Sequence, residues 1–157
     1  MSWKPMRAID WIWHVRGTVP LPAASASLSA LEPVFEKRGT TLERSPDMLV
    51  FHKDNPDSQD KLASFEHGTL RIVPAENGAE LRYDLTSHPL LWCFIAPAPF
   101  AALAYAAESM RIPGYSFAGI FAALYIAGRI IEQRQAHRLF RDRLVPVEAA
   151  SAEPIAA

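Results

Sequence analysis

The sequence predicts an α+β protein: a two-layer domain of order β-α-β-β-β-β, with a mostly antiparallel sheet and one helix, followed by a two-helix transmembrane hairpin. Three observations predict this fold class. Before residue 88 the chain is polar and charged, and its apolar residues mostly recur with a period of two. One segment in that part has helical spacing instead. From Pro89 to Gly128 the only charged residues are Glu108 and Arg111.

The first strand is predicted over residues 11–19, WIWHVRGTV, where the side chains alternate between two faces. Trp11 and Trp13 fall on the same side, which favours a place in the core. The alternative is contact with a membrane interface, where tryptophan is enriched.

The helix of the N-terminal domain is predicted from apolar spacing after residue 27. Three residues share one helical face: Leu28, Leu31 and Phe35. Ser29 and Glu32 have the spacing of a capping box, and Gly39 suits the end of the helix. Pro33 places the start of the regular helix near Ser29, or else kinks a longer helix.

Period-two segments return after Gly39. They are TTLER, MLVFHK, TLRIV and the alternating stretch 79–86, with turn formers between them. KLASFE, which precedes TLRIV, is a further strand or part of one long bulged strand. Hairpin-length connections predict antiparallel pairing. The polar face of this sheet should carry His14, Arg16, Arg71, Arg82 and Asp84, as a solvated surface or as a docking surface for a partner subunit.

Two apolar runs predict the hairpin that follows the N-terminal domain, which is assigned residues 1–87. Residues 88–108 have about the 20-residue length that a bilayer requires, and Pro89 stands at the first helical position, where its missing N–H costs nothing. Residues 115–131 form the return helix after a short extracytoplasmic loop, 109–114. The alternative, a soluble hairpin packed on the sheet, requires a polar face that these runs lack.

Pro97 and Pro99 interrupt the first span. Neither can donate to the carbonyl four residues earlier, so a kink is predicted near Ala96–Pro99 and the carbonyls of Cys93 and Ile95 lose their usual partners. An unsatisfied backbone group in hydrocarbon costs several kcal/mol. The prolines therefore favour a hairpin that packs against further transmembrane helices.

Small residues four apart mark one face of each predicted span. They are Ala98, Ala102 and Ala106 on the first span and Gly119, Ala123 and Ala127 on the second. Such faces let helices approach closely in lipid. We expect them to be helix-packing surfaces.

Positive charge follows the second span. The basic residues are Arg129, Arg134, Arg138, Arg141 and Arg143, whereas the loop between the spans holds only Arg111. The positive-inside rule then places both termini in the cytoplasm, in agreement with the absence of an apolar signal segment near residue 1. Segment 132–144 is expected to be a basic cytoplasmic helix that lies against anionic headgroups or packs on its own domain, and 145–157 a disordered tail.

Composition and motifs argue against several function classes. A net charge of −1 does not suit a nucleic-acid binder, and nucleotide-binding and nucleophile-elbow motifs are missing. Cys93 is the single cysteine, and the five histidines lack metal-ligand spacing. His52 and His67 can meet across strands, but two histidines without a third ligand make a weak zinc site. We therefore expect no catalytic residues, cofactor or metal.

These features together predict a non-catalytic protein of a bacterial inner membrane. The layout, a short α+β domain followed by a helical hairpin, is similar to that of many small bacterial inner-membrane proteins. We expect an accessory or assembly subunit of a larger membrane complex, with membrane lipids and other transmembrane subunits, or a second copy of the chain, as partners. The alternative is a membrane-tethered domain that senses a small ligand or a lipid in the cleft between helix and sheet.

Overall fold

The protein is described by a computed structural model over residues 9–22, 27–36, 38–54, 60–76 and 78–145. Of the tail 145–157 that is predicted to be disordered, residues 146–157 lie outside the described residues, whereas Val145 is described and packs against the core. The fold class is α+β: one five-stranded antiparallel sheet is followed by two long apolar helical segments.

The sheet is a four-stranded meander, and the first strand of the chain is added along one of its edges. Its strands are β1 (His14–Leu21), β2 (Thr40–Arg44), β3 (Met48–Lys53), β4 (His67–Ala75) and β5 (Gly78–Thr86). Their spatial order is β1-β5-β4-β3-β2, and every neighbouring pair is antiparallel. The hairpins of the second half follow from sequence, whereas the pairing of β1 with β5 is a long-range contact that turn signals do not encode.

The helices are short in the N-terminal part and long at the C-terminus. A 3-10 helix (Leu28–Leu31) leads into α1 (Glu32–Phe35), and the C-terminal part holds α2 (His88–Ile95), α3 (Pro97–Ala106), a 3-10 turn (Glu108–Met110) and α4 (Arg111–Leu144).

Strand β1 begins three residues later than the alternation predicts. Residues 11–13 form a turn in which the amide of Ile12 donates to the carbonyl of Ile9 at 3.0 Å. Trp11 is 57% exposed, so the prediction that it lies in the core is wrong. The guanidinium of Arg129 stacks on its ring at 4.0 Å, a tertiary contact that outweighs the local pattern.

The helix after β1 is capped by Ser27 instead of Ser29. The Ser27 hydroxyl accepts the amide of Ser29 at 3.3 Å, and Pro33 lies in the first turn of α1. The regular helix therefore starts late, which avoids the kink that Pro33 would cause in a longer helix. Gly39 adopts φ +80° in the turn before β2, where a Cβ would lie 2.5 Å from the carbonyl oxygen of Asp54.

The segment KLASFE is a turn region and not a strand. The side chain of Asp60 accepts the amide of Leu62 at 3.0 Å, and the amide of Phe65 bonds the carbonyl of Leu62 at 3.0 Å. These local bonds replace a strand ladder. Leu62 and Phe65 are nevertheless buried against the sheet.

The C-terminal third of α4 supplies a large part of the cover of the sheet. Ala136, Phe140 and Leu144, four residues apart, are almost fully buried and belong to the same core as the strands. The ring of Phe140 meets that of Tyr83 at 5.0 Å. Of the two expectations for segment 132–144, packing on its own domain therefore holds for this face. The rest of the cover comes from the 3-10 helix and α1, so the sheet has two helical covers where one was predicted.

Candidate functional site

The surface of the helical hairpin, residues 88–131, is apolar on all sides. Fourteen of the sixteen exposed large apolar side chains in the described part of the chain lie between Trp92 and Ile131. Among them, Tyr105 is 85% and Ile112 is 81% exposed. Two helical segments of this region, His88–Ala106 and Glu108–Leu144, are long and apolar enough to cross a membrane.

The two arms of the hairpin, residues 88–106 and 111–131, contact each other through pairs of aromatic side chains. Ring pairs join Phe100 to Phe117 at 5.6 Å and to Phe121 at 5.4 Å. Nearer the sheet, Phe94 meets Tyr125 at 5.3 Å. Aromatic side chains from both arms therefore make the contacts between them, although Phe94 and Phe117 are about half exposed.

Gly114 permits the closest approach, at the loop end of the hairpin. A Cβ on Gly114 would lie 2.7 Å from the Cβ of Ala104 and 2.8 Å from the carbonyl oxygen of Phe100. Gly114 and Ala104 are both buried. A glycine and an alanine therefore form the small-residue contact between the arms.

The predicted small-residue faces lie elsewhere on the hairpin. All six residues are exposed: Ala98, Ala102, Ala106, Gly119, Ala123 and Ala127. A Cβ added to Gly119 would meet nothing within 4 Å. The structure therefore leaves both faces open, and their role in helix packing stays a prediction.

The first arm is divided at Ala96, beside the two prolines. Helix α2 ends at Ile95 and α3 begins at Pro97, while the amide of Ala96 still donates to the carbonyl of Trp92 at 2.9 Å. Ala96 keeps helical dihedral angles, φ −53° and ψ −34°. The predicted kink residues, Pro97 and Pro99, thus lie at the start of the second half of the arm.

The junction between hairpin and sheet is held by side chains of α4 that reach the backbone before β1. The hydroxyl of Tyr125 donates to the carbonyl of Ile12 at 3.0 Å. Arg129 donates to the same carbonyl at 3.4 Å and to the carbonyl of His14 at 3.2 Å. With its ring contact to Trp11, Arg129 is a half-buried structural residue as well as a flanking charge.

Glu132 lies one turn further on, just past the predicted span. Its Oε1 accepts the hydroxyl of Ser87 at 3.3 Å, while its Oε2 is buried and has no hydrogen-bond partner within the described residues. Burial raises the pKa of Glu132 above its ordinary value of 4.5, and hydrogen bonds from Ser87 and Ser64 and the charge of Arg129 oppose that rise.

Replacing Glu132 with glutamine is expected to change how stability depends on pH. The folded pKa is raised, so the folded protein binds more protons than the unfolded chain, and wild-type stability falls as pH rises above about 4.5. The glutamine in Glu132→Gln cannot ionise, so this contribution to the loss of stability with rising pH is absent from the variant. The melting temperature of the variant relative to wild type should therefore rise between pH 4 and pH 8, as measured in detergent; a constant difference over that range would contradict the assignment.

The basic residues after the span occupy different places on α4. Arg134, Arg138, Arg141 and Arg143 are exposed. Arg134 and Arg138 line a groove of about 550 Å³ between α4 and the edge strand β1. Arg141 lines a second hollow against the end of β1, near Pro20.

The open face of the sheet carries the residues predicted for it. The carboxylate of Asp84 bonds the ring of His14 at 2.5 Å and the guanidinium of Arg16 at 2.6 Å. Arg71 pairs with Asp47 at 3.4 Å, and Arg82 pairs with Glu80 at 2.6 Å. Each arginine of this face thus has a carboxylate partner, as expected of a solvated surface.

Within the described ranges, the potential metal ligands lie apart or in pairs. His52 and His67 are cross-strand neighbours with ring centroids 6.2 Å apart, as anticipated. No group of three or more potential ligands occurs among the described residues. Cys93 is half-buried.

One buried ion pair was not foreseen. Lys53 at the end of β3 and Asp60 in the following turn are both buried and form a salt bridge, and the ammonium also donates to the carbonyl of Leu62 at 3.3 Å. The alternation of β3 places Lys53 inward, beside Leu49 and Phe51 on the same face. Its partner Asp60 directly precedes the KLASFE segment, at the end of a stretch of turn-forming residues.

Comparison with known proteins assigns no relative. No protein-family model, no curated protein and no solved structure matches this chain.

Proposed function

We propose that this chain is a small integral membrane protein without catalytic activity, an accessory or assembly subunit of a larger complex in a bacterial inner membrane. The observation that carries the proposal is the apolar surface between Trp92 and Ile131, which has no polar side. Contiguous apolar surface of this extent is rare on soluble monomers and marks a membrane or a protein partner.

The distribution of charge supports an orientation. Arg134, Arg138, Arg141 and Arg143 follow the second arm, and only Arg111 lies near the loop. In the proposed topology the sheet domain and both termini are cytoplasmic, and the loop 109–114 faces the other side. Burial of Phe140 and Leu144 in the sheet core keeps the domain beside the end of the span.

The role as a subunit is supported by the faces that the hairpin leaves open. Its two arms use Ala104, Gly114 and the phenylalanine rings for their own contact, so the exposed faces around Ala102 and Gly119 remain for other helices. Pro97 and Pro99 leave two backbone carbonyls that need donors in lipid. A partner helix can satisfy both requirements.

The cleft between helix and sheet, which the ligand-sensing alternative requires, is occupied by side chains of the protein itself. Leu28, Leu31 and Phe35 are buried against the strands, and Phe35 stacks on Phe51 at 4.5 Å. The space between helix and sheet is filled by these side chains, so a ligand has no room there. The subunit role is therefore the better supported proposal.

Gly119→Leu is expected to weaken the association of the protein with its partners and to leave its own fold intact. The new side chain meets no atom of this chain near Cβ and raises helix propensity. It does fill a small-residue face against which another helix would pack. The measurement is co-purification from native membranes in mild detergent, and we expect partner recovery to fall about tenfold, equivalent to about 1.4 kcal/mol.

The matched control is Ile126→Leu, a volume-conserving change at another exposed position of the same helix. It should co-purify like the wild type. A wild-type protein that purifies as a clean monomer, or equal recovery with Gly119→Leu, would count against the subunit role.

A further inference from the structure

The groove between α4 and β1 is basic and free of acidic residues. Its lining includes Arg134 and Arg138, together with Gln133 and His137 from the same helix and Thr18 from β1. Arg134 and Arg138 are four residues apart, so they are neighbours on the helix surface, where like charges repel. Neither forms an ion pair with any residue that the structure describes.

This situation differs from that on the open face of the sheet. There Arg16, Arg71 and Arg82 each have a carboxylate within 3.4 Å. The two groove arginines form no such pair among the described residues, and the Asp142 carboxylate of the same helix lines the neighbouring hollow with Arg138 and not this groove. Arginine presents its donors as a planar fork that matches the oxygens of a phosphate group.

The floor of the groove offers a further donor. Tyr83 lies opposite Gly17 in the pairing of β1 with β5, and a Cβ on Gly17 would lie 2.2 Å from the tyrosine hydroxyl. The glycine therefore allows the hydroxyl to reach the groove, which both residues line. Burial raises the pKa of Tyr83, so this hydroxyl stays protonated and can donate.

The position of the groove relative to the proposed span fits a lipid headgroup. With a rise of 1.5 Å per residue, Arg134 lies about 4.5 Å and Arg138 about 10.5 Å beyond Ile131. The headgroup layer is about 5–8 Å thick on each side of the hydrocarbon, so the backbone of Arg134 lies within it and that of Arg138 lies just beyond it. Helical side chains lean toward the N-terminus, which is the membrane end of α4, so the long side chain of Arg138 reaches back toward this layer. At the membrane end the groove is lined by Ile130, which is 45% exposed and can contact an acyl chain.

We propose that the groove between α4 and β1 binds the headgroup phosphate of an anionic phospholipid, with Arg134 and Arg138 as the phosphate ligands. The proposal rests on the proposed membrane insertion of the hairpin. It differs from general attraction between positive charge and a membrane, because it requires the guanidinium forks in one groove and not only their charge.

The test uses the full chain purified in mild detergent and stripped of lipid. Native mass spectrometry would measure retention of phosphatidylglycerol, phosphatidylcholine and inorganic phosphate. We expect the wild type to retain phosphatidylglycerol about tenfold better than phosphatidylcholine. Equal retention of the two lipids by the wild type would overturn the proposal whatever the variants do, as would binding of free phosphate as tightly as phosphatidylglycerol.

Three double variants separate the groove from simple charge. Arg134→Gln with Arg138→Gln should lose about tenfold in retention of phosphatidylglycerol. Arg134→Lys with Arg138→Lys keeps the charge but loses the forks, and should also bind more weakly than the wild type. Arg141→Gln with Arg143→Gln removes two charges outside this groove and should stay within about twofold of the wild type. A lysine variant equal to the wild type, or an equal loss in the third variant, would overturn the proposal.

Extraction of native membranes with carbonate distinguishes failure of this proposal from failure of the membrane assignment. A protein released by carbonate contradicts insertion of the hairpin. A protein that stays in the membrane but shows no preference for phosphatidylglycerol contradicts the groove alone.

Discussion

Replacing Phe140 with alanine is expected to destabilise the sheet domain by about 3–5 kcal/mol, the usual cost of removing a fully buried phenylalanine. Phe140 is 0% exposed, and its ring packs on Tyr83 of β5, the strand next to the edge strand β1. The substitution leaves a cavity between the sheet and α4. A small domain has a total stability of only about 5–15 kcal/mol, so this loss is a large part of it.

Thermal or denaturant unfolding, followed by a spectroscopic signal of the β-sheet, measures this loss of stability. Arg141→Ala is the matched control, because Arg141 is the next residue on the helix and is exposed. Its effect should stay within about 0.5 kcal/mol. If both variants unfold alike, α4 is not part of the sheet core and segment 132–144 is only an appended helix.

Gly114→Leu is expected to separate the arms of the hairpin near its loop. Even the first side-chain atom would lie 2.8 Å from the backbone oxygen of Phe100, which cannot turn away as a side chain can. Overpacking of this kind costs about 1–3 kcal/mol, and more where backbone must move. The stacked rings of Phe100 and Phe117 should lose their contact.

Hydrogen exchange in detergent or nanodiscs would detect this opening as faster exchange over residues 97–121. Gly119→Leu is the matched control, because the same substitution five residues later meets open space. Equal protection in the two variants would show that the arms do not approach each other at Gly114.

The main features of the sheet could be predicted because its strands follow their local pattern. In β5 the alternation of Leu81, Tyr83 and Leu85 with polar residues matches their burial. The predicted start of the first strand is wrong at Trp11, where local alternation competes with a contact to Arg129, a residue more than a hundred positions away. Periodicity within a sequence window of about ten residues cannot detect a contact between residues so far apart.

The second cover of the sheet had a signal that was overlooked. Ala136, Phe140 and Leu144 recur every four residues, the spacing of a buried helical face. The arginines between them lie on the exposed side of the same helix. Glu132 also had a signal, as the only acidic residue between Glu108 and Asp142. Its burial depends on Ser87 at the start of the first arm and could not be read from position alone.

The packing faces of the hairpin show a different limit. Small-residue spacing identifies surfaces that allow close approach, but a chain with several such surfaces does not specify which one its own arms use. Here the bulky rings of Phe100, Phe117 and Phe121 fix the contact, and Gly114 with Ala104 completes it. The faces at Ala102 and Gly119 take no part in this contact and remain exposed.

One helix links the two parts of the protein. Helix α4 runs from the loop of the hairpin, through the junction at Arg129, to the sheet core at Phe140. The helix is continuous over this whole length, so no loop separates the hairpin from the sheet domain at this end. The hairpin and the sheet domain are therefore joined by one continuous helix.

The accessibility of single cysteines tests the central claim, a hairpin that crosses the membrane. In a Cys93→Ser background, Ser109→Cys places a thiol in the loop and Asp142→Cys places one at the C-terminal end of α4, which the proposed topology puts in the cytoplasm; both positions are exposed. In intact bacterial cells whose inner membrane is sealed, a membrane-impermeant maleimide should label Ser109→Cys and should reach Asp142→Cys only after lysis. Labelling of both positions only after lysis, with the protein in the soluble fraction, would contradict the account.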